Sequence, residues 1–352
     1  MIKDFEFRPV SISRLLIRIV LLMVAILTSL SFLSLFISPQ TTVIFQWVGV
    51  LLPALLGVNF LFFIIGLYKR SWYSICPLVA LLANFHYFTK VIQVNSVGQV
   101  ETAEIRFGSY NVREFKMIYN LSSMQQIASY IESQKVNTLC LQEVPADCSA
   151  LELKRAFGQF HYLVRTGSKS GNNQLAILSK YPLDSVHTVS FGERPNCALF
   201  ADLSLKGEKI RIGNCHLQTT NWNQVKGDLL PADNAMFKWW NAIKTMSENF
   251  RLRGGQADYL KSLMDKSPFP TLMCGDFNNS PNSYSYHKIK GNLKDAFCEA
   301  GNGYGYTYNN LMKLFRIDFV FFSGAKFQAV NYRTGSVDFS DHLPVLVDFK
   351  IN

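Results

Sequence analysis

The chain has 352 residues, 49% of them hydrophobic and 17% charged, with a formal net charge of +10. That length gives one large domain plus an appendage, and the composition lies on the apolar side of an ordinary globular protein. Residues 91–352 carry 28 Lys/Arg against 23 Asp/Glu, a balance too mild to require a nucleic-acid partner.

The apolar excess is concentrated at the front. Leu15–Ile37 is broken only by Arg18, and Val43–Leu67 and Trp72–Thr89 are uncharged. A membrane-spanning helix takes about 20 apolar residues, so three spans are expected, at 15–37, 43–67 and 72–89, making residues 1–90 a membrane anchor. The first run exceeds the h-region of a cleaved signal peptide, roughly 7–15 residues, and further apolar runs follow it. Residues 1–90 hold seven Lys/Arg (Lys3, Arg8, Arg14, Arg18, Lys69, Arg70, Lys90) against Asp4 and Glu6. By the positive-inside rule, the N-terminus and the Lys69-Arg70 loop are cytoplasmic. Three crossings then place everything after Lys90 outside the cytoplasm, which is the periplasm if the bilayer is a bacterial inner membrane. Two crossings with a surface-lying third segment would leave the same region cytoplasmic.

Val91–Ala103 reads as a polar linker, and beyond it strand-like and helix-like stretches alternate. "EIRFGSYNV" (104–112) has strand character, and "SSMQQIASYIESQK" has helical periodicity with a serine cap. "VNTLCLQEV" and "QLAILSKYPL" are strands again. "CALFADLSLKGEKIRIGNCHL" reads as a hairpin turning at Lys206-Gly207-Glu208. Residues 235–265 are helical, with an expected break at Gly254-Gly255, and "RIDFVFFS" and "LPVLVDF" supply further strands. Residues 104–352 therefore suit one layered α/β domain. The seven cysteines have no CxxC pair and no zinc-like spacing. Cys140, Cys215 and Cys274 sit in apolar runs, where a thiol behaves as a small hydrophobe.

Short polar signatures punctuate those runs: "SYNVREF" with Asn111 and Arg113, "LQEV" with Glu143, "NCHLQT" with Asn214 and His216, "GDFNNSP" with Asp276 and Asn278, "RIDFVF" with Asp318, and "SDHLPV" with Asp341 and His342. Carboxylates, amides and imidazoles gathered this way make an oxygen-rich site, suited to a hard cation such as Mg²⁺ or Mn²⁺ rather than zinc. A cation offsets charge on a phosphoryl oxygen, and an Asp–His pair handles proton transfer.

In order and wording these motifs resemble the endonuclease/exonuclease/phosphatase superfamily of deoxyribonuclease-I-like hydrolases, from about Glu104 to Asn352. "GDFN" with a downstream "SDH" is specific as a pair, and "LQE" and "NCHL" add to it. The resemblance implies a four-layered α/β sandwich behind the transmembrane helices and a Mg²⁺-dependent phosphoester hydrolase, with Asp276 and Asn278 on a loop at the active-site end. It implies Glu143 as the principal metal ligand with Asp341 on the metal side, and Asn111 supporting metal and phosphate. His216 would contact phosphate, Asp276 orient or deprotonate the attacking water, and Asn278 hold a phosphoryl oxygen. His342 would be the general base or a charge-stabilising imidazolium, oriented by Asp318, with Arg113 and Arg194 as phosphate contacts. The plainer readings are a turn glutamate, a turn-capping asparagine, a satisfied core histidine and solvated surface arginines.

The superfamily's scaffold serves nucleases, sphingomyelinases and inositol-phosphate phosphatases, so fold does not choose the substrate. The expected partners are the bilayer and a phosphoester, either nucleic acid or a lipid headgroup, and no obligate protein partner is inferred. A phosphodiesterase is the first expectation. A lipid-headgroup hydrolase of sphingomyelinase-like or phosphoinositide-phosphatase-like type is the alternative, and a non-catalytic phosphate-binding module a more distant one. Thr219–Phe250 is longer than a compact connection needs. Its Trp222, Trp239 and Trp240 either pack as ordinary helix residues or dip into a bilayer interface.

Overall fold

A computed structural model of the chain describes residues 12–95, 103–116, 122–167, 173–192, 196–220, 235–310 and 313–352. The expected anchor folds as helices α1 (Ile12–Ser29), α2 (Ile44–Tyr68), α3 (Ile75–Ala83) and α4 (Phe85–Val91), followed by strand β1 (Ile92–Val94). Leu15–Leu35 and Ile44–Tyr68 are long and apolar enough to cross a membrane, and only 22% and 28% of an apolar 18-residue stretch in each is buried. A core helix of a globular domain would be mostly covered.

The expected third span is not one helix. It opens with a 3₁₀ turn at Trp72–Ser74, and α3 and α4 meet at a break on Asn84. The Asn84 amide donates to the carbonyls of Thr28 (2.8 Å) and Ala80 (3.0 Å) and accepts from the Ser31 hydroxyl. Asn59 donates to Thr28 Oγ1 at 2.8 Å. Polar groups in apolar helices are tolerated when they face one another in this way.

The two ends of this helical segment differ. At one, Arg18 stacks on Tyr73, 4.3 Å from the ring centre, near Lys69 and Arg70 at the end of α2. At the other, the α1–α2 turn and the start of α2 rest on the α/β domain: Ser34 Oγ donates to the Asn282 carbonyl (2.9 Å) and Trp47 Nε1 to Ser247 Oγ (3.0 Å).

The domain continues with β2 (Ile105–Asn111), α5 (Met124–Ser133), β3 (Thr138–Pro145), α6 (Ala150–Ala156), β4 (Tyr162–Arg165), β5 (Asn173–Ser179), β6 (Leu183–Ser190), β7 (Cys197–Leu205) and β8 (Glu208–His216). It closes with α7 (Ala235–Met264), β9 (Thr271–Asp276), α8 (Tyr284–Lys290), β10 (Lys294–Asp295), α9 (Ala296–Ala300), β11 (Asn302–Tyr304), β12 (Asp318–Phe322), β13 (Phe327–Thr334) and β14 (Val345–Ile351). The expected linker begins as structure, because β1 pairs antiparallel with β11. The expected hairpin turns on Lys206 (φ 52°) and Gly207 (φ 84°), the two positive-φ positions that match the twist of paired strands.

Two six-stranded sheets, ordered β13-β14-β2-β3-β5-β4 and β10-β12-β9-β8-β7-β6, pack face to face. Alternation along each strand sends Phe107, Cys140, Ile177, Ile212 and Cys274 between the sheets. Leu139 and Leu141 point the other way, onto α5 and α6 with Ile127, Ile131 and Leu153. Met273, Phe319 and Phe321 pack outward with Ala257 and Leu260 of α7 and Tyr286 of α8. Helices thus cover both outer faces, giving the expected four-layered sandwich. Among the described residues all cysteines are free thiols, and burial pushes those of Cys140 and Cys215 well above their ordinary range.

The expected break at Gly254-Gly255 does not occur, and α7 runs straight through. Both glycines serve close approach instead. A Cβ on Gly254 would lie 2.5 Å from Pro39 Cγ, and one on Gly255 2.5 Å from Gln40 Nε2. The α1–α2 turn sits directly on this bare stretch of helix. A second tie is the buried Arg316, which pairs with Asp295 (2.8 Å) and donates to the Lys90 carbonyl at the end of α4 (2.8 Å).

Candidate active site

Each sheet contains one parallel pair, β2 with β3 and β8 with β9. The C-terminal ends of all four strands converge at one end of the sandwich, where the polar signatures lie. Backbone register sets the spacing: Asp276 lies opposite His216 on one side and Asp318 on the other. Beneath the site, Gln142 Nε2 donates to Asn214 Oδ1 (2.7 Å), and Asn214 Nδ2 to the Leu141 carbonyl (2.9 Å). This buried amide pair, bridging the sheets, fixes their separation.

Asp276 is the hub. Its carboxylate accepts from Asn111 Nδ2 (3.0 Å) and from the Asn278 backbone N–H (2.8 Å), and it lies 3.7 Å from both His216 Nε2 and His342 Nε2. Asn111 Nδ2 also donates to Glu143 Oε1 (3.1 Å), so one amide holds two carboxylates. Glu143 stands at a bulge where β3 loses register with β5, with φ 54°; such a bulge re-aims a side chain. Asn278 is left-handed too (φ 50°), as are the successive residues Arg113, Glu114 and Phe115. Strained backbone of this kind gathers at functional sites.

Two overlapping groups of potential ligand atoms result: Glu143, His216 and Asp276, and Asp276, Asp318 and His342. His216 Nε2 is buried with no hydrogen-bond partner and faces Glu143 Oε1 at 3.5 Å. An orphaned imidazole nitrogen between two carboxylates fits a divalent cation. On the other side His342 Nδ1 is bonded to Asp318 Oδ2 (2.9 Å). Burial pulls the His342 ring toward neutrality, but the carboxylates of Asp318 and Asp276 prevail and push it up to about 10. Burial raises Asp318, against the pull of His342, to about 6. The arrangement is an imidazolium held by one carboxylate and turned toward another.

Of the remaining expected residues, Asp341 lies outside both groups, with its carboxylate 3.7 Å from Arg113 Nε. Asn278 Nδ2 donates to the Leu217 carbonyl at 3.2 Å. Arg194 lies outside the described residues, as does Trp222. Sequence reasoning missed three contributors. Ser340 Oγ donates to the Asn111 carbonyl (2.8 Å) and accepts from the His342 N–H (3.2 Å), and Tyr308 places its ring 5.0 Å from that of His342. Arg253, wholly buried, donates to the Gln218 carbonyl and to Thr220 Oγ1. It lines a cavity of about 40 Å³ with Asn278, Tyr308, Phe250 and Val50, the last from α2. Tyr308 and Arg253 lie on a tyrosine-rich loop and mid-helix, where no motif marks them.

A four-layered α/β sandwich with this constellation at the strand ends defines a phosphoester hydrolase. The chain belongs to the endonuclease/exonuclease/phosphatase family, whose model matches residues 108–342. Residues 13–91 match a second family, described as a domain of unknown function (DUF8431). No curated protein matches the chain. Among solved structures, a humanized D. rerio TDP2 is 16% identical, with 70% of this chain and 98% of that one covered and a TM-score of 0.52. A functionally unknown conserved protein from Enterococcus faecalis V583 is 18% identical, with 70% and 100% covered and a TM-score of 0.53. An endonuclease/exonuclease/phosphatase from Beutenbergia cavernae DSM 12333 is 18% identical, with 71% and 72% covered and a TM-score of 0.52. At such identities the likeness is one of fold.

Proposed function

We propose that this protein is a membrane-anchored, Mg²⁺-dependent phosphodiesterase that directs water onto phosphorus. The observation that carries this reading is the pair of ligand groups sharing Asp276. Glu143, His216 and Asp276 would hold the cation, with Mn²⁺ as a substitute, and Asn111 fixes both carboxylates. Bound there, a divalent cation supplies Lewis acidity, offsetting charge that builds on a phosphoryl oxygen. The protein's own groups do the rest. Asp276 orients the attacking water and takes its proton as the new O–P bond forms and the bond to the leaving oxygen breaks. The His342 imidazolium, held by Asp318, lies where it meets developing negative charge.

The full chain in detergent should hydrolyse a generic phosphodiester with Mg²⁺ and stop with EDTA. A fragment starting near residue 100 is the wrong reagent, since it lacks β1 and the α1–α2 turn that pack on the domain. Glu143→Gln should chiefly weaken metal affinity, so part of its lost rate should return at high Mg²⁺. Wild-type activity of Glu143→Gln at limiting Mg²⁺ would remove Glu143 from the metal site. A folded chain inactive on every phosphoester would sink the enzyme reading.

A lipid-headgroup substrate is the second reading. It is favoured by the cavity beside Asn278, one wall of which is Val50 of the membrane helix α2. Rates on DNA, RNA, phospholipid and sphingolipid decide between the two.

The topology belongs to the same proposal. Lys69, Arg70 and Arg18 gather at the end of the anchor away from the domain, while the uncharged α1–α2 turn and β1 rest on the domain. Cations favour the cytoplasmic end of a span, which supports the reading of the hydrolase as lying outside the cytoplasm. A reporter active only in the cytoplasm, fused after Asn352, should stay silent, and a strong signal would reverse the orientation.

A further inference from the structure

Helix α7 changes character along its length. Its first turns expose Met236, Phe237, Trp239, Trp240 and Ile243, at 87%, 65%, 56%, 66% and 41%. From Lys244 onward the exposed residues include Lys244, Glu248 and Arg251. One helix therefore passes from an apolar exposed surface to a charged one within a single turn. Ordinary helix packing, one of the two sequence readings, does not hold for Trp239 and Trp240.

The opposite face shows which way the apolar end points. Ala242, Met246 and Phe250 pack against Val43, Trp47 and Val50 of α2 and its N-cap. Pro39 meets Gly254, whereas Trp47 meets Ser247 and Phe250. Residue numbers on α7 thus fall as those on α2 rise, and the two helices run antiparallel. At 1.5 Å per residue, Met236 lies roughly 20 Å beyond Phe250 in the direction α2 takes away from the domain. There α2 exposes its own apolar residues, Leu51 and Val58 among them.

We infer that the first two turns of α7 are seated in the lipid leaflet beside α2, with the partner surface a phospholipid monolayer. This rests on the reading of the chain as membrane-anchored. If α2 crosses a bilayer, the neighbouring end of α7 runs beside it into the acyl region, below the headgroups. There acyl chains cover the exposed Met236, Phe237, Trp239 and Trp240. The cavity beside Asn278 and Tyr308 is walled by Val50, Met246 and Phe250 from this same α2–α7 seam, so that edge of the site stands at the leaflet rather than above it on a stalk.

The test uses the full chain in phosphatidylcholine vesicles with ordinary or acyl-brominated lipid, reading tryptophan emission. Wild type minus the Trp239→Phe/Trp240→Phe variant isolates the two tryptophans of α7, and wild type minus Trp72→Phe isolates one in the anchor. All three are exposed, so neither variant disturbs packing. The α7 difference spectrum should be blue-shifted and lose most of its intensity in brominated lipid, and that result upholds the inference whatever Trp72 shows. Quenching of Trp72 with a water-like, unquenched α7 signal overturns the inference and leaves the anchor standing. No quenching of either overturns the anchored reading and the inference with it.

Discussion

His342→Ala should lower turnover by on the order of 10²–10⁴-fold, the usual cost of removing a proton-transfer or charge-stabilising group, while metal affinity stays near wild type. The two effects separate because His342 stands on the far side of Asp276 from Glu143 and His216. Its ring is fixed by Asp318 at 2.9 Å and covered by Tyr308, so it needs no reorganisation to meet negative charge. A neutral ring would act as a base, but Asp318 and Asp276 outweigh burial and hold the proton to about pH 10. Asp318→Asn, which leaves the ring its shape but takes away that carboxylate, should move the alkaline fall in rate to lower pH. In metal-free protein the sign of the stability effect follows from the same shift. A ring raised from 6.5 to about 10 contributes stability that is complete below pH 6.5 and is lost as pH rises toward 10. Thermal unfolding of wild type should therefore weaken over that window more than that of His342→Ala. Equal turnover of the variant and wild type would remove His342 from the chemistry.

The site was legible because its residues belong to strand ends, and strand ends carry local signals. Glu143, His216, Asp276 and Asp318 each adjoin or terminate an apolar run that alternation identifies, and a parallel pair brings neighbouring ends together without any further instruction. The supports were not legible, since they act across the fold. Asn214 looks like one more polar residue in "NCHL", yet it holds the two sheets together through Gln142 and the Leu141 carbonyl. Arg253 sits in a helix whose local pattern gives no reason for burying a guanidinium, and its partners are carbonyl and hydroxyl groups after β8. Gly254-Gly255 misled for the same reason. Two glycines in sequence signal a helix end, but here their missing side chains admit the Pro39-Gln40 turn from more than two hundred residues away. Likewise Asn84 reads as a blemish in an apolar span until Thr28 and Ser31 are seen to satisfy it.

The sharpest contrast should come from two adjacent positions. Gly275 has φ 141°, and a Cβ there would lie 1.9 Å from the Cys215 carbonyl oxygen on the neighbouring strand. That contact is with backbone one residue from the active-site end of the β8–β9 parallel pair, so no side-chain rotation relieves it. Gly275→Ala must either part the two strands or twist β9, breaking the register that sets His216 opposite Asp276. Positive-φ strain and overpacking each cost on the order of 1–3 kcal/mol. Together they reach the range in which single substitutions unfold a domain of ordinary stability. Asp276→Ala, one residue on, should do the reverse. It removes the hub of both ligand groups, so turnover should fall by on the order of 10²–10⁴-fold or more. The strand itself is held by its backbone pairing to β8 and β12, which the side chain does not touch. Its loss takes the acceptor from the Asn278 N–H, but it also withdraws one of three carboxylates crowded around two buried rings, and Asn111 keeps its bond to Glu143. Thermal unfolding of the full chain in detergent should then show Asp276→Ala melting close to wild type and Gly275→Ala melting far below it. Both variants melting together would mean that the β8–β9 approach is not what holds the active-site end in place.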